Sequence, residues 1–234
     1  MSWRRLSPVA LTVCATVISE FAGTADPLLR LRERMVSEQI ENRGIRSPGV
    51  LRAMRAIPRH LFVPAELRLM AYEDFPLPIG RGATISQPYI VALMTELLAP
   101  TKNDRILEVG TGSGYQAAVL GQLAAEVYTI EIVPELAQSA ARTLRELGYR
   151  RITVREGDGY QGWPDRAPFH GIMVTAAAEV IPEPLIDQLA RGGRLVAPVG
   201  PSGNQNLVLL EKTKDGSVKQ RIVAPVRFVP LRVK

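Results

Sequence analysis

Residues 105–115 read Arg-Ile-Leu-Glu-Val-Gly-Thr-Gly-Ser-Gly-Tyr, and this stretch decides the fold. Ile106, Leu107 and Val109 predict a strand, the glycines after them predict a tight turn, and residues 116–123 are compatible with a helix. Glycines at a strand-to-helix turn let backbone N–H groups approach a ligand closely, and a helix N-terminus favours an electron-rich group. The stretch therefore predicts a binding site for a large ligand.

Two ligand classes fit this turn. Residues 112–117 also satisfy the G-x-G-x-x-A dinucleotide fingerprint, and Glu131 lies at the offset of about 20 residues expected of a ribose-binding acid. The glycines alone do not distinguish NAD from S-adenosyl-L-methionine. Glu108 favours the second ligand, because an acid at the strand end would repel a pyrophosphate and attract a methionyl ammonium group.

The composition indicates one α/β domain with a modest extra segment. The chain has 234 residues, of which 46% are hydrophobic and 22% charged. The net charge of +6 is uneven: residues 1–60 carry ten arginines and five acids, and the other 174 residues carry 19 basic and 18 acidic side chains. A nucleic-acid enzyme usually has a basic stripe over its catalytic part, so no nucleic-acid partner is expected.

Metal-ligating residues are scarce. Cys14 is the only cysteine, and His60 and His170 are the only histidines. This count excludes an intrachain disulfide and a thiolate metal site, and no metal is expected. His60 lies between Pro58 and Pro64 and is interpreted as a packed, hydrogen-bonded side chain rather than a catalytic base.

Residues 1–27 have some features of a secretory signal. Arg4 and Arg5 precede an apolar run over 6–18, and residues 23–25 are small. Pro8 interrupts the run, Glu20 precedes the small residues, and the run is too short for a membrane span. The segment is interpreted as an N-terminal extension or a signal segment, and no stable membrane association is expected.

Helices are predicted over 28–42 and 48–56, the second with Ser47 as N-cap and Pro48 at its first position. Residues 72–89 form a loop rich in proline and glycine, and loops of that length are often functional. A helix over 89–98 comes next. Ser86 is predicted at its N-cap, where a hydroxyl is also placed to hydrogen-bond an incoming carboxylate.

After the glycine turn, strands and helices alternate. Strands are predicted over 127–130, 152–154, 172–174, 194–199, 207–210 and 218–223, helices over 135–147 and 184–190, and a hairpin turn at residues 215–216. The alternation predicts an α/β fold with a doubly wound, mostly parallel sheet and an N-terminal helical cap. Ligands of such sheets bind beyond the carboxyl ends of the strands.

Three acids at predicted strand ends indicate which chemical groups the ligand carries. Glu108 and the glycine turn would hold an amino-acid-like end, Glu131 would accept from a ribose diol, and Asp158 would read an adenine amino group. Together they describe an aminoacyl nucleoside without phosphates, which fits S-adenosyl-L-methionine.

The residues after the fourth strand indicate the methyl acceptor. Methylation of a ring nitrogen or amide commonly uses an Asn/Asp-Pro-Pro-aromatic box there, and catechol chemistry uses acidic metal ligands, whereas residues 175–178 read Thr-Ala-Ala-Ala. Cytosine C5 chemistry needs a cysteine, and Cys14 lies outside the domain. A carboxylate acceptor explains the lack of a base, because with a pKa near ~4 it is already ionised at neutral pH and needs only alignment.

The chain resembles the protein-L-isoaspartate (D-aspartate) O-methyltransferase family from about residue 34 to residue 231. The resemblance is carried by residues 35–45, 58–64, 82–88, 108–114, 157–159, 175–178 and 192–195. The Thr-Ile-Ser-Gln-Pro segment at 84–88 is the most specific, since very many methyltransferases share the glycine turn.

The resemblance implies a Rossmann-like S-adenosyl-L-methionine-dependent methyltransferase fold and a protein-repair activity. The substrate would be the free carboxylate of L-isoaspartyl residues in damaged proteins, with D-aspartyl residues as a further candidate. The methyl ester would then close to a succinimide without the enzyme, and hydrolysis would return some aspartate. A monomer is expected, located in the cytoplasm where the methyl donor is made, with the periplasm as the alternative if residues 1–25 direct export.

The resemblance also implies residue roles. Ser86 belongs to the active site as a positioning donor, with substrate contacts at Thr84, Ile85, Gln87 and Pro88. We expect cofactor contacts at the turn and the strand ends: Glu108, Gly110, Thr111, Gly112, Ser113, Gly114, Glu131, Asp158 and Gly159. Residues 28–234 would form one methyltransferase domain, with the N-terminal helices and substrate loop in 28–100 and the cofactor-binding sheet in 101–234.

His170 departs from the family pattern, which usually has Asp after Pro-Phe at this point. We expect this change to perturb hydrogen bonding at the sheet edge without abolishing activity. Two other functions remain open on the residues alone: methylation of a different substrate, such as RNA or a small acid, and non-catalytic binding of an adenosyl nucleoside.

Overall fold

The computed structural model describes residues 28–233, and the predicted N-terminal extension or signal over residues 1–27 lies outside them. The described part contains nine strands in chain order: β1 Leu77–Gly80, β2 Ala83–Ile85, β3 Arg105–Val109, β4 Glu126–Glu131, β5 Ile152–Glu156, β6 Phe169–Val174, β7 Leu189–Val199, β8 Gln205–Lys212 and β9 Val218–Val226.

The same part contains six α-helices: α1 Leu29–Arg34, α2 Pro48–Ala56, α3 Pro88–Leu98, α4 Tyr115–Gly121, α5 Pro134–Glu146 and α6 Glu183–Asp187. A π-helix, Met35–Glu41, continues α1, and four short 3₁₀ turns lie at Arg59–Phe62, Ala65–Met70, Gly159–Gln161 and Pro164–Arg166. Within residues 28–233, no helix is long and apolar enough to cross a membrane.

A seven-stranded sheet organises the fold, with the strand order β5-β4-β3-β6-β7-β8-β9. The pairs β3–β4, β4–β5, β3–β6 and β6–β7 are parallel, and β7–β8 and β8–β9 are antiparallel. The chain moves outward from β3 to β5 and then returns to place β6 on the other side of β3. This reversal is the switch point at which doubly wound sheets bind ligands, so the predicted fold class is confirmed.

Both faces of the sheet are buried. Alternate residues of β3 belong to two hydrophobic clusters, one on each face of the sheet. Ile106 is in the cluster that contains the N-terminal helices, and Leu107 and Val109 are in the cluster that contains Trp163 and Leu185. The N-terminal helices therefore cover one face, as the predicted helical cap requires.

Several predicted elements differ from the observed ones. The helix predicted over 28–42 is an α-helix that passes into a π-helix. The helix predicted over 184–190 ends at Asp187, because the chain is already extended from Leu189 and runs through Gly192 and Gly193 as β7. The loop predicted over 72–89 contains the antiparallel hairpin β1–β2, in which Leu77 is paired with Ile85.

His170 lies near the start of β6 and keeps a bond to the neighbouring strand. Its Nδ1 accepts a hydrogen bond from Arg105 N at 3.1 Å. The β3–β6 register is regular from Ile106, whereas the β6–β7 register shifts between Phe169 and Gly171. The expected effect of His170, in place of Asp, on these hydrogen bonds stays a prediction.

Candidate active site

The glycine turn joins β3 to α4 and is held by a threonine that follows the neighbouring strand β6. Gly110 has φ = +98°, and a Cβ added to it would lie 2.4 Å from Thr175 Oγ1. That hydroxyl lies 2.6 Å from Gly110 O and 3.0 Å from Val109 O. Thr175 was not among the predicted site residues, although it is the first polar residue after β6.

Glu131 fixes the other side of the turn. Its Oε2 accepts from Gly112 N at 2.8 Å and its Oε1 accepts from Val133 N at 3.0 Å. Each carboxylate oxygen has a second lone pair, so both remain able to accept from hydroxyl groups of a ligand. The carboxylate is thereby held at the end of β4 in a fixed orientation.

Glu108 lies beneath the turn and is fully buried. Thr129 Oγ1 donates to its Oε2 at 2.6 Å, and Thr111 Oγ1 lies 2.6 Å from Thr129 Oγ1. Among the described residues, Glu108 Oε1 has no hydrogen-bond partner. Burial raises the pKa of Glu108 to about 8, the Thr129 hydrogen bond opposes this change, and the charge of Glu131 adds to it.

Asp158 comes after β5 and caps a short 3₁₀ turn. Its Oδ1 accepts from Tyr160 N at 2.9 Å. Gly159, the next residue, approaches β3 so closely that a Cβ would lie 2.3 Å from Val109 Cγ1. The backbone after β5 therefore lies against the end of β3, and the role of Asp158 at an adenine amino group stays a prediction.

These strand ends surround a pocket that we call the strand-end cavity. Its lining combines the glycine turn, the end of β4, Gly159, the β1–β2 hairpin and the C-terminal segment: Gly110, Gly112, Glu131, Ile132, Val133, Leu136, Gly159, Thr175, residues 81–84 and residues 229–232. Arg81 of the hairpin pairs with Glu135 at 2.8 Å, and Arg232 Nη2 donates to Arg81 O at 3.0 Å. The hairpin and the C-terminal segment were not among the predicted cofactor contacts.

Two further cavities adjoin it. The outer groove is lined by Pro76, Thr84, Ser86, Gln87, Ile90, Thr175, Ser202, Gly203 and residues 225–229. The Ser86 cavity lies between Ser86 and the turn and includes Thr84, Ile85, Ser113 and Gln116. Thr84 and Thr175 line all three cavities, so they mark the junction at which the cavities meet.

Ser86 is not the helix cap that the sequence predicts. The N-cap of α3 is Gln87, without a side-chain cap bond, because Pro88 begins the helix. The backbone of Ser86 is held by Arg59, whose Nη2 donates to Ser86 O at 2.7 Å and whose Nε donates to Ala71 O at 2.7 Å. Burial lowers the pKa of Arg59 to about 10, and its guanidinium lies over the Tyr115 ring.

The other predicted substrate contacts at 85, 87 and 88 differ in whether they line a cavity or are buried. Gln87 lines the outer groove while its Nε2 donates to Asp74 O at 3.0 Å and to Asp74 Oδ1 at 2.8 Å. Ile85 is buried beside the Ser86 cavity, and Pro88 is buried at the start of α3. His60 Nδ1 lies 2.7 Å from Tyr72 Oη, so His60 is hydrogen-bonded as expected.

The described residues hold no group of three or more His, Cys, Asp or Glu side chains suited to a metal ion. They do fit S-adenosyl-L-methionine. The buried Glu108 Oε1 has no hydrogen-bond partner among them, so a cationic ammonium group above the turn would favour the ionised form of this carboxyl. Gly110, Glu131 and Gly159 line the strand-end cavity.

Comparisons with known proteins agree on one family. The family model of protein-L-isoaspartate(D-aspartate) O-methyltransferase (PCMT) matches residues 30–234. The chain is 59% identical to a protein-L-isoaspartate O-methyltransferase of Gloeobacter violaceus over 198 residues, which cover 84% of this chain and 96% of that protein. A Synechococcus protein of the same name is 56% identical over 214 residues, covering 88% of this chain and 87% of the relative.

Solved structures show the same fold. A protein-L-isoaspartate O-methyltransferase structure matches 85% of this chain and 65% of its own, with a TM-score of 0.76 and 30% identity. A Plasmodium falciparum protein, described as a protein-L-isoaspartate O-methyltransferase in complex with S-adenosyl-L-homocysteine, matches 86% of this chain and 98% of its own, with a TM-score of 0.75 and 24% identity.

Proposed function

The chain belongs to the protein-L-isoaspartate(D-aspartate) O-methyltransferase family, and we propose the residue roles through which it performs that reaction. It is an S-adenosyl-L-methionine-dependent enzyme that methylates the free carboxylate of L-isoaspartyl residues in damaged proteins. The resulting ester leads to a succinimide and to recovery of aspartate. D-aspartyl residues are a proposed additional substrate.

The lining of the outer groove carries the assignment of roles. It contains the hydroxyls of Thr84, Ser86 and Thr175, and among its lining residues there is no His, Lys, Asp or Glu. A groove with hydroxyl donors and no base suits an acceptor that is already ionised, which a carboxylate is at neutral pH. An amine or phenol acceptor would need a proton removed.

The strand-end cavity is the proposed site of S-adenosyl-L-methionine, which supplies a sulfonium-bound methyl group as the electrophile. Glu131 would accept from the ribose hydroxyls and Asp158, with Gly159, would face the adenine. Glu108 lines none of the three cavities, and its proposed role is to ionise when the cationic ammonium end binds above it and to balance that charge. The remaining proposed contacts are those of the turn: Gly110, Thr111, Gly112, Ser113 and Gly114.

Ser86 is proposed to position the substrate carboxylate. It lines both the outer groove and the Ser86 cavity, whose other wall is the glycine turn. Its hydroxyl would donate to the carboxylate, with Thr84 beside it at the junction of the cavities. Gln87 would contact the substrate from the groove wall, while Ile85 and Pro88 support the segment from the buried side.

We propose that residues 28–234 act as a single methyltransferase domain, with the substrate loop in 28–100 and the cofactor-binding sheet in 101–234, and that residues 1–27 are an extension or a signal segment. The proposed partners are damaged proteins and peptides. The nearly neutral charge of residues 61–234 supports the absence of a nucleic-acid partner. We further propose that the protein is a monomer. We also propose a cytoplasmic location, because the methyl donor is made in the cytoplasm.

Methyl transfer to an isoaspartyl peptide, compared with its aspartyl twin, tests the function. We expect labelling of the isoaspartyl peptide only, because the two peptides differ solely in which carboxylate is free. Radiolabelled S-adenosyl-L-methionine provides the measurement. Equal labelling of both peptides would contradict the substrate assignment, and labelling of neither would indicate a binding module.

Substitution Ser86→Ala tests the proposed catalytic position. A hydrogen bond to a charged group contributes about 1.5–3 kcal/mol, so we expect kcat/KM to fall roughly ten- to a hundredfold while S-adenosyl-L-homocysteine affinity stays nearly constant. Isothermal titration calorimetry measures the affinity. Ser37→Ala removes a hydroxyl from an exposed helical position and serves as the matched control. A comparable loss of cofactor affinity would show that Ser86 is structural.

A further inference from the structure

Arg227 provides the only charged side chain in the lining of the outer groove. The other lining residues are apolar or carry neutral polar groups. A cation in a concave site without nearby acids raises the local concentration of anionic ligands. The groove is therefore expected to favour anionic groups at the position of Arg227.

The backbone that carries Arg227 is fixed on its C-terminal side. Gln205 is buried, and its side chain accepts from Phe228 N at 2.7 Å and donates to Phe228 O at 3.2 Å. Farther along, Ala177 N donates to Val229 O at 2.8 Å, and Leu231 N donates to Ala177 O at 2.7 Å. These bonds tie the segment to β8 and to the residues after β6, so little backbone freedom is lost when Arg227 binds a ligand.

Among residues 28–233, the guanidinium of Arg227 has no internal partner. Its side chain takes part in no hydrogen bond or ion pair within that range, and Arg227 is exposed to solvent. Other arginines of the sheet differ: Arg194 pairs with Glu211 at 3.0 Å and Arg105 with Glu126 at 3.0 Å. Its charge is thus available to a ligand in the groove.

The position of Arg227 separates it from the reacting carboxylate. Ser86, Thr84 and Thr175 line both the outer groove and the Ser86 cavity beside the glycine turn, whereas Arg227 lines the outer groove alone. The hydroxyls are therefore placed for the carboxylate that is methylated. The guanidinium is placed for a group farther along the same bound peptide.

We infer that Arg227 is a specificity-determining residue that selects isoaspartyl substrates with an acidic side chain next to the damaged residue. This inference rests on the proposed use of the outer groove by the substrate. It predicts that a basic neighbour is disfavoured, because it would place a second cation beside the guanidinium.

Three isoaspartyl peptides that differ only in the flanking residue, Glu, Gln or Lys, test the inference, with one series for each side of the isoaspartate. We expect kcat/KM of the wild type to fall in the order Glu, Gln, Lys, by up to about fivefold per step. The effect should lie mainly in KM and should shrink in about 1 M salt, where the screening length is about 3 Å.

Variants identify the residue responsible. Arg227→Gln should reduce the Glu-to-Lys ratio to near one, and Arg227→Glu should invert the order, a gain that a damaged fold would not produce. Arg221→Gln removes an exposed arginine of β9 outside the groove and should keep the wild-type ratio. Methylation of all three peptides without charge preference, or an unchanged order in Arg227→Glu, overturns the inference alone. If none of the three peptides is methylated, the proposed function and this inference are overturned together.

Discussion

Replacement of Gly110 by alanine is expected to lower the free energy of unfolding by about 2–5 kcal/mol and to weaken S-adenosyl-L-homocysteine binding more than about a hundredfold. The backbone at Gly110 has φ = +98°, which costs alanine about 1–2 kcal/mol. The added Cβ would also lie 2.4 Å from Thr175 Oγ1. Thr175 has little room to retreat, since its N donates to Val109 O at 2.9 Å.

Gly44 offers a matched control for this substitution. Its φ is +99°, and a Cβ there meets no atom within 4 Å. Gly44→Ala should therefore show the backbone cost alone, without loss of ligand affinity. In the double variant Gly110→Ala/Thr175→Ala, where the clashing hydroxyl is gone, the added cost of Gly110→Ala should fall to that of Gly44→Ala. Urea denaturation and calorimetry provide both quantities, and equal costs of Gly110→Ala in the two backgrounds would refute the steric explanation.

The parts of the fold that the sequence predicts are those with local signals. Aliphatic runs that end in glycine or acid mark β3, β4 and β5, and Asp215-Gly216 marks the β8–β9 hairpin, so the alternation of strands and helices indicates a doubly wound sheet. The β1–β2 hairpin was missed because its strands have four and three residues, and proline within the segment obscures the period-two pattern.

The residues of the site likewise divide into those that a local sequence signal predicts and those that it does not. The glycine turn is contiguous and Glu131 ends a strand, and the structure brings them together around one cavity. Thr175 reaches Gly110 across 65 residues, and Arg232 reaches Arg81 across 151 residues, so no local pattern shows these contacts. Arg59 is a further case: nothing in its neighbourhood of prolines predicts a fully buried guanidinium that holds the carbonyl of Ser86.

The cofactor-free enzyme is expected to lose stability between about pH 5 and pH 8, and Glu108→Gln is expected to remove that loss. Burial raises the pKa of Glu108 from 4.5 to about 8. In this window the folded chain keeps a proton that the unfolded chain has released, so the free energy of unfolding falls by about 1.4 kcal/mol per pH unit. The contribution of the neutral carboxyl is fully present below the unfolded pKa and is lost as the pH rises through the folded value.

Urea denaturation at about pH 5.5 and pH 7.5 measures this difference. Over two pH units the wild type should lose about 2.7 kcal/mol more than Glu108→Gln. Glu126→Gln removes the same charge from an exposed ion pair on β4 and controls for the change in net charge. Equal losses in the wild type and Glu108→Gln would show that Glu108 does not hold its proton in the folded state.

Ligand binding provides the second measurement on the same variant. A cationic ammonium group above the turn would favour the ionised form of Glu108, so the wild type should release up to about one proton when S-adenosyl-L-homocysteine binds near pH 7. Calorimetry in two buffers of different ionisation enthalpy counts the protons. Glu108→Gln should release fewer, because its amide does not titrate. Identical release in both proteins would place the ammonium group away from Glu108 and would leave the burial of this acid as a property of the fold alone.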